Sequence, residues 1–243
     1  MSTDLTALDP HGWEAVKKAL NQRVVVGGIR LVPSKRNRVW IVETDVRPVV
    51  VKRFLTGRCG AEFETTVEAR KAGLLVPYPL HSGGDCIVYE YISGEGCETS
   101  INHMFSPAAA EGIGDWLAKF HDGLSDGSSK RIMVDAVLSN FLVSEGQVYG
   151  LDLEDARYGD PLEDLGRAAA SILGSEPFFT PIKFDLCSRM IARYERESGT
   201  SVLEPVRRYI SNCLRADAAF RPLFRRTFVS AANSLERGWP ELG

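Results

Sequence analysis

The sequence predicts an α+β protein whose strands come first and whose helices come last. Three observations predict it. Short runs rich in β-branched residues, punctuated by glycine and proline, fill the chain as far as Ile92. Beyond Gly94, apolar residues recur at helical spacing, in segments that open on proline or stop at glycine. Between the two halves the strand-like run CIVYEYI ends in Ser93-Gly94, a natural hinge. Two lobes are expected, residues 1–92 and residues 93–243, in a chain long enough to fill two cores.

In the first half, Asp9-Pro10 reads as an N-cap with proline at the first helical position. Trp13, Val16 and Leu20 then recur along a helix to about Gln22. Val24–Val26 with Ile29–Val32, then Val39–Glu43, then Pro48–Phe54 read as an antiparallel meander of three or so strands, with Pro33-Ser34-Lys35-Arg36-Asn37 as a polar turn. Lys52 stands in the third run, where a lysine is usually just solvated. Ala61 to Ala72 reads as a helix with Phe63, Val67 and Lys71 along one side and Gly73 as its stop. One of its acids, Glu62, Glu64 or Glu68, can pair with the strand lysine and turn it towards phosphate oxygens. In the buried strand Cys86–Ile92, the backbones of Glu90, Tyr91 and Ile92 are placed to meet a base.

In the second half, Pro107 to Leu124 is expected to be helical, with Ile113, Trp116, Leu117 and Phe120 inward. His121 at its end reads as a cap or a core hydrogen-bonder rather than a catalyst. Asp160-Pro161 opens a helix that runs to Gly174, with Asp160 as N-cap and Asp164 as a buried hydrogen-bonding carboxylate. Helices follow at about Ile182–Ser198, Val202–Ala216 and Pro222–Arg237.

The chemistry concentrates between Arg131 and Asp164. Phe141–Val143 and Val148–Leu151 flank a Ser-Glu-Gly turn, so a hairpin brings their outer ends together. Asp135 and Asn140 precede it and Asp152 follows it. Two carboxylates and an amide at one mouth are the inventory of a Mg²⁺-dependent phosphoryl-transfer site: hard oxygen ligands, plus a carboxylate to orient a hydroxyl. Glu154 and Asp155 read as structural neighbours.

Bulk properties exclude other classes. Apolar content of 44% and charged content of 25% are those of an ordinary globular chain. No apolar run has the ~18–20 residues of a membrane span, and no secretory signal is visible. The five scattered cysteines lack CxxC spacing, which argues against a disulfide framework or a zinc site and for a cytoplasmic setting. The net charge of −3 indicates no partner, but Arg207, Arg208, Arg215, Arg221, Arg225 and Arg226 crowd near the C-terminus.

Taken in order, these pieces resemble the protein-kinase-like fold, in its aminoglycoside phosphotransferase and choline kinase branch with small atypical-kinase relatives. The resemblance covers roughly Leu31 to Leu173. VVVKRF matches the strand that carries the nucleotide-binding lysine, Lys52. Glu62 stands eleven residues before the glycine of Ala72-Gly73-Leu74-Leu75-Val76-Pro77, which singles it out as the lysine's partner. CIVYEYISGEG is similar to the hinge, Asp135 to Asn140 to the catalytic loop, and LDLEDA with GDPLEDLG to the metal-binding motif. Two positions depart from the pattern. Met133-Val134 replaces the usual histidine motif before the catalytic aspartate, and the turn at 33–37 lacks glycine.

The resemblance implies a bilobal molecule, with an antiparallel sheet and one pairing helix in the first lobe and a mostly helical second lobe. It implies ATP (or GTP) and Mg²⁺, and phosphate transfer to a hydroxyl of a sugar, antibiotic or other metabolite. Lys52, held by Glu62, would contact the α/β-phosphates, with Ser34 and Asn37 in the phosphate turn and Glu90 and Ile92 at the base. Asn140 and Asp152 would hold metal, and Asp135 would orient the acceptor. No membrane partner is expected, and the C-terminal arginines point to an anionic one or to internal ion pairs. A small atypical Ser/Thr protein kinase and a non-catalytic nucleotide-binding module are the alternatives, the latter favoured by Met133-Val134.

Overall fold

In the computed structural model, the described residues are residue 8, residues 10–21 and residues 25–240. Asp9, Gln22 and Val24, expected at a helix cap, a helix end and a strand start, lie outside them. The chain divides into two compact units. The first comprises the chain up to Lys71, Val76–Ser93 and Asp152–Asp155; the second comprises Ala72–Leu75, Gly94–Leu151 and the chain from Ala156 on. Among the described residues no helix is long and apolar enough to cross a membrane.

In the first unit, helix α1 (Pro10–Leu20) precedes strands β1 (Val26–Val32), β2 (Arg38–Thr44) and β3 (Val49–Arg53), helix α2 (Cys59–Lys71), and strands β4 (Pro79–Gly83) and β5 (Cys86–Glu90). The strands form one antiparallel sheet in the order β1-β2-β3-β5-β4. The sequence suggested a smaller meander, because the prolines of 77–79 obscure β4. That strand lies at the sheet edge, where proline costs no ladder bond.

The pleat sorts side chains by alternation. Val42, Val49, Val51 and Val88 are fully buried in a cluster with Val16 and Leu20 of α1. Each such side chain contributes roughly 1.5–3 kcal/mol. The alternate residues Val50, Ile87 and Tyr89 pack instead with Cys59 and Phe63 of α2. Lys52 is two residues from Val50, so it too faces α2. The fully buried residues of α2 are Cys59, Glu62, Thr65, Thr66 and Ala69; of the expected line, Phe63 is half-buried against the sheet and Lys71 is exposed. Small and polar residues face in because this helix carries an ion pair rather than an apolar seam. Gly73 follows the helix at φ +79°, the left-handed stop expected of it.

The second unit opens with β6 (Glu95–Gly96) and α3 (Cys97–Asn102), followed by α4 (Pro107–Gly123), β7 (Lys130–Ile132), a 3-10 turn (Leu138–Asn140), β8 (Phe141–Ser144), β9 (Gln147–Gly150) and β10 (Arg157–Gly159). Helices α5 (Pro161–Leu173), α6 (Pro181–Ser198), α7 (Leu203–Ala219) and α8 (Arg225–Arg237) complete it. The expected hairpin is β8–β9, and Glu145 and Gly146 turn it at φ +50° and +76°. Strand β6, just beyond Ser93-Gly94, adds to its edge. A side chain at Gly94 would collide with the backbone of Val143 there.

Helix α4 is capped by Ser106, whose hydroxyl accepts from the Ala109 amide at 3.2 Å, worth about 1 kcal/mol. Its four expected inward residues, Ile113, Trp116, Leu117 and Phe120, are all buried. Asp160 caps α5 by accepting from the Leu162 amide at 3.0 Å. Helix α4 packs on α6, α5 on α7, and α7 on α8. A bidentate Arg167–Asp217 pair, at 2.9 Å for both contacts, ties α5 to α7.

Candidate active site

The first unit builds a charged cluster around Lys52. Its ammonium lies 2.5 Å from Glu62 Oε2 and 2.7 Å from Asp152 Oδ1. Tyr89, on the same sheet face, donates its hydroxyl to Glu62 Oε1 at 2.7 Å. Glu62 is thus fixed through both oxygens. Burial pulls the Lys52 ammonium down, but the carboxylates of Glu62 and Asp152 outweigh it and hold the group above the ordinary lysine value. Burial pushes the Glu62 carboxyl up against the pull of Lys52, and the charge on Asp152 pushes the same way.

Glu62, Asp152 and Glu154 each bring an oxygen within 4.8 Å of the others. Lys52 neutralises only one of these charges, so the cluster carries excess negative charge and presents only oxygen donors. That set suits a hard divalent cation.

Each carboxylate of the segment Asp152–Asp155 is engaged within the first unit. Asp152 holds Lys52. Glu154, buried, accepts from Asn37 Nδ2 at 2.9 Å. Asp155 takes Arg36 at 2.5 Å through one oxygen and Arg58 through the other. Asp152 itself adopts φ +60°, a left-handed conformation that aspartate tolerates better than most residues. The sequence reading gave no role to Arg36, Arg58 or Tyr89, and took Asp155 only as a structural neighbour. Nothing in the spacing of these residues marks them, since their meeting is a matter of tertiary approach.

Asp135 and Asn140, expected at the acceptor and the metal, lie in the second unit. Asp135 is exposed, and Asn140 Nδ2 donates to its carbonyl oxygen at 2.9 Å and contacts its carboxylate at 3.4 Å. The Leu151 amide donates to the Asn140 carbonyl at 2.9 Å. The residue before Asp152 is therefore pinned to the loop that carries Asp135.

Asp164 holds the backbone at Met133-Val134. It is fully buried at the start of α5 and accepts from the amides of Met133, at 2.6 Å, and Val134, at 2.7 Å. Val134 sits at φ +73°, an uncommon conformation for a β-branched residue, directly before Asp135. His121 Nε2 lies 3.0 Å from Asp164 Oδ2, and its Nδ1 lies 3.0 Å from the Tyr194 hydroxyl. His121 is a core hydrogen-bonder, as its sequence position suggested.

The remaining expected residues fall as follows. Ser34 Oγ accepts from the Asn37 amide at 3.4 Å, while Asn37 is buried with both ends of its side chain engaged, Nδ2 by Glu154 and Oδ1 by the Leu55 amide. The Glu90 amide donates to the Tyr78 carbonyl, and its side chain accepts from the Tyr78 amide at 2.7 Å. Ile92 follows the end of β5 and is half-buried. Of the C-terminal arginines, Arg207 pairs with Glu204 and Arg215 with Glu236, while Arg221 donates to the Gly174 carbonyl at 2.6 Å. Arg225 and Arg226 are exposed at the start of α8.

No family model matches the chain. A curated relative, the "probable bifunctional tRNA threonylcarbamoyladenosine biosynthesis protein" of Methanospirillum hungatei JF-1, is 25% identical over 158 residues, 65% of this chain and 28% of that protein. The chain thus spans less than a third of that relative's length. Among solved structures, a choline/ethanolamine kinase family protein from Mesorhizobium loti is similar at a TM-score of 0.67 and 15% identity, over 96% of each chain. The amicoumacin kinase hAmiN in complex with AMP-PNP, Ca²⁺ and Ami is similar at a TM-score of 0.63 and 12% identity, over 86% of this chain and 88% of that one. A spectinomycin phosphotransferase with ADP and spectinomycin is similar at a TM-score of 0.59 and 10% identity, over 88% of each. The fold is protein-kinase-like, of the type shared by choline kinases and aminoglycoside phosphotransferases.

Proposed function

We propose that the chain is an ATP- or GTP-dependent, Mg²⁺-dependent phosphotransferase that moves the γ-phosphate to a hydroxyl of a small molecule such as a sugar, an antibiotic or another metabolite. The observation that carries this reading is Lys52 held between Glu62 and Asp152, with Asp152 one peptide bond beyond Leu151, whose amide bonds the Asn140 carbonyl. Lobe 1–92 would hold the nucleotide and lobe 93–243 the acceptor, in a cytoplasmic protein.

In this reading Lys52 leaves Asp152 for the α/β-phosphates while Glu62 keeps it aimed. Asp152 and Asn140 would hold the metal, which supplies charge neutralisation at the transferring phosphate. Ser34 and the backbone of Asn37 line the phosphate turn, and Glu90 and Ile92 offer backbone groups to the base. Asp135 orients the acceptor hydroxyl and takes its proton. The transition state for phosphoryl transfer is loose, so positioning and charge do most of the work. Asp164 supplies the loop support that the family assigns to its histidine motif. Arg225 and Arg226 would meet the anionic part of a partner.

The test is transfer of labelled γ-phosphate from ATP or GTP to a panel of hydroxylated metabolites, comparing wild type with Asp135→Ala. We expect about 10²–10⁴-fold slower transfer in the variant with nucleotide-dependent thermal stabilisation retained. Equal transfer rates would remove Asp135 from its role, and no stabilisation of wild type by any nucleotide would end the reading. The curated relative favours a second reading, a phosphate-handling module in the synthesis of threonylcarbamoyladenosine on tRNA. Nucleotide turnover that rises on adding tRNA, with no transfer to the metabolite panel, would select it.

A further inference from the structure

We infer that Arg36 and Arg58 form a binding subsite for the terminal phosphates of a nucleoside triphosphate, and that Asp155 occupies the pair until the nucleotide arrives. This rests on the nucleotide-binding reading above and extends it to residues that reading leaves unassigned.

The observation is a convergence from two parts of the first unit. Arg36 stands in the polar turn between β1 and β2, and Arg58 stands directly before α2. Each gives Nη1 to a different oxygen of the same carboxylate, Arg36 to Oδ2 and Arg58 to Oδ1 of Asp155. Two guanidiniums on one carboxylate leave a net positive charge. The side chains of Arg36 and Arg58 are 59% and 51% exposed, and that of Asp155 only 16%. The cations therefore meet solvent while the acid lies beneath them.

A purely structural role explains this poorly. Ion pairs with arginines so exposed add little to stability, and a second guanidinium adds still less once the carboxylate is neutralised. A terminal phosphate is a better match for the pair. It carries more charge and more acceptor oxygens, and the guanidinium fork fits it bidentately.

The location is consistent with that use. Asp155 ends the segment that begins with Asp152, the partner of Lys52, and those three residue steps span at most about 10 Å. Asn37, next to Arg36, fixes Glu154, next to Asp155. The turn that presents Arg36 is thereby anchored while its guanidinium remains displaceable.

The test measures the affinity of the full chain for ATP, ADP and AMP at constant Mg²⁺. The variants are Arg36→Ala with Arg58→Ala, Arg36→Lys with Arg58→Lys, and Asp155→Asn. The double alanine variant is expected to lose about ten- to a hundred-fold in ATP affinity, the scale of lost charge-assisted hydrogen bonds, with AMP affinity unchanged. Unchanged AMP binding also reports an intact fold. The double lysine variant should recover only part of the loss, because an ammonium lacks the fork. Asp155→Asn should tighten ATP binding by removing the competitor.

If wild type binds ATP and the double alanine variant binds it equally well, the subsite is overturned while the nucleotide reading stands. If Asp155→Asn weakens ATP binding as much as the double alanine variant does, Asp155 supports the arginines rather than competing for them, and its role as occupant is overturned. If wild type binds none of the three nucleotides, the underlying reading falls and the subsite with it.

Discussion

Lys52 and Asp152, a hundred positions apart in the chain, are joined at 2.7 Å between Nζ and Oδ1. Glu62 closes on the same ammonium from the other side and is 3% exposed. With the Tyr89 hydroxyl, the lysine is therefore what allows Glu62 to be buried.

The first prediction concerns that dependence. Lys52→Ala leaves the Glu62 carboxylate buried beside a like charge, and we expect a loss of about 3–5 kcal/mol. Adding Glu62→Gln should return a substantial part of it, because the unpaired charge is gone. Urea denaturation of the two single variants and the double variant measures the coupling. Strict additivity would mean that the pair does not act as a unit.

Asp164 carries the second prediction. It is buried, accepts from the amides of Met133 and Val134, and meets His121. Asp164→Ala leaves two amides without their acceptor and should cost roughly 2–5 kcal/mol. It should also speed hydrogen exchange at the amides of 133 and 134 more than at β8 and β9. Uniform exchange across the second unit would show that Asp164 does not hold the loop in particular.

The third prediction is a pH dependence. Lys183 is fully buried on α6, and its ammonium bonds Asn102 Oδ1 and, at 3.0 Å, Ser175 Oγ, with no carboxylate partner among the described residues. Burial lowers its pKa from 10.5 to about 8, against a small opposing pull from Cys187. Between those values the unfolded chain holds the proton and the folded chain does not, so this group makes stability rise with pH from about 8 to 10.5. The rise is at most about 3 kcal/mol.

Lys52 acts in the opposite sense. Its raised pKa means that its contribution is present below 10.5 and lost as pH climbs through the folded value. Lys183→Met should be neutral or stabilising at pH 7, since Ser175 Oγ and Asn102 Oδ1 remain 2.7 Å apart and satisfy each other. The variant should also lack the alkaline rise. Denaturant midpoints of both proteins from pH 7 to 10.5 that run parallel would refute it.

By itself, the sequence determined the two kinds of secondary structure, the N-cap at Asp160-Pro161, the β8–β9 hairpin and the side chains of α4 that face inward. These depend on neighbours a few residues apart, through alternation, helical spacing and turn chemistry. It also placed Lys52 and Glu62 on elements that face each other, through the family pattern. The face of α2 was another matter. Apolar spacing marked Phe63 and Val67, but the sheet opposite also presents Lys52 and Tyr89, and the fully buried residues of α2 are mostly small or polar. Tertiary structure alone decided that Asp164 holds the Met133-Val134 backbone, that Asn37 is spent on Glu154, and that Arg36 and Arg58 meet on Asp155. Each of these is an approach of polar groups from distant parts of the chain, and charges on loops leave no periodic trace in a sequence.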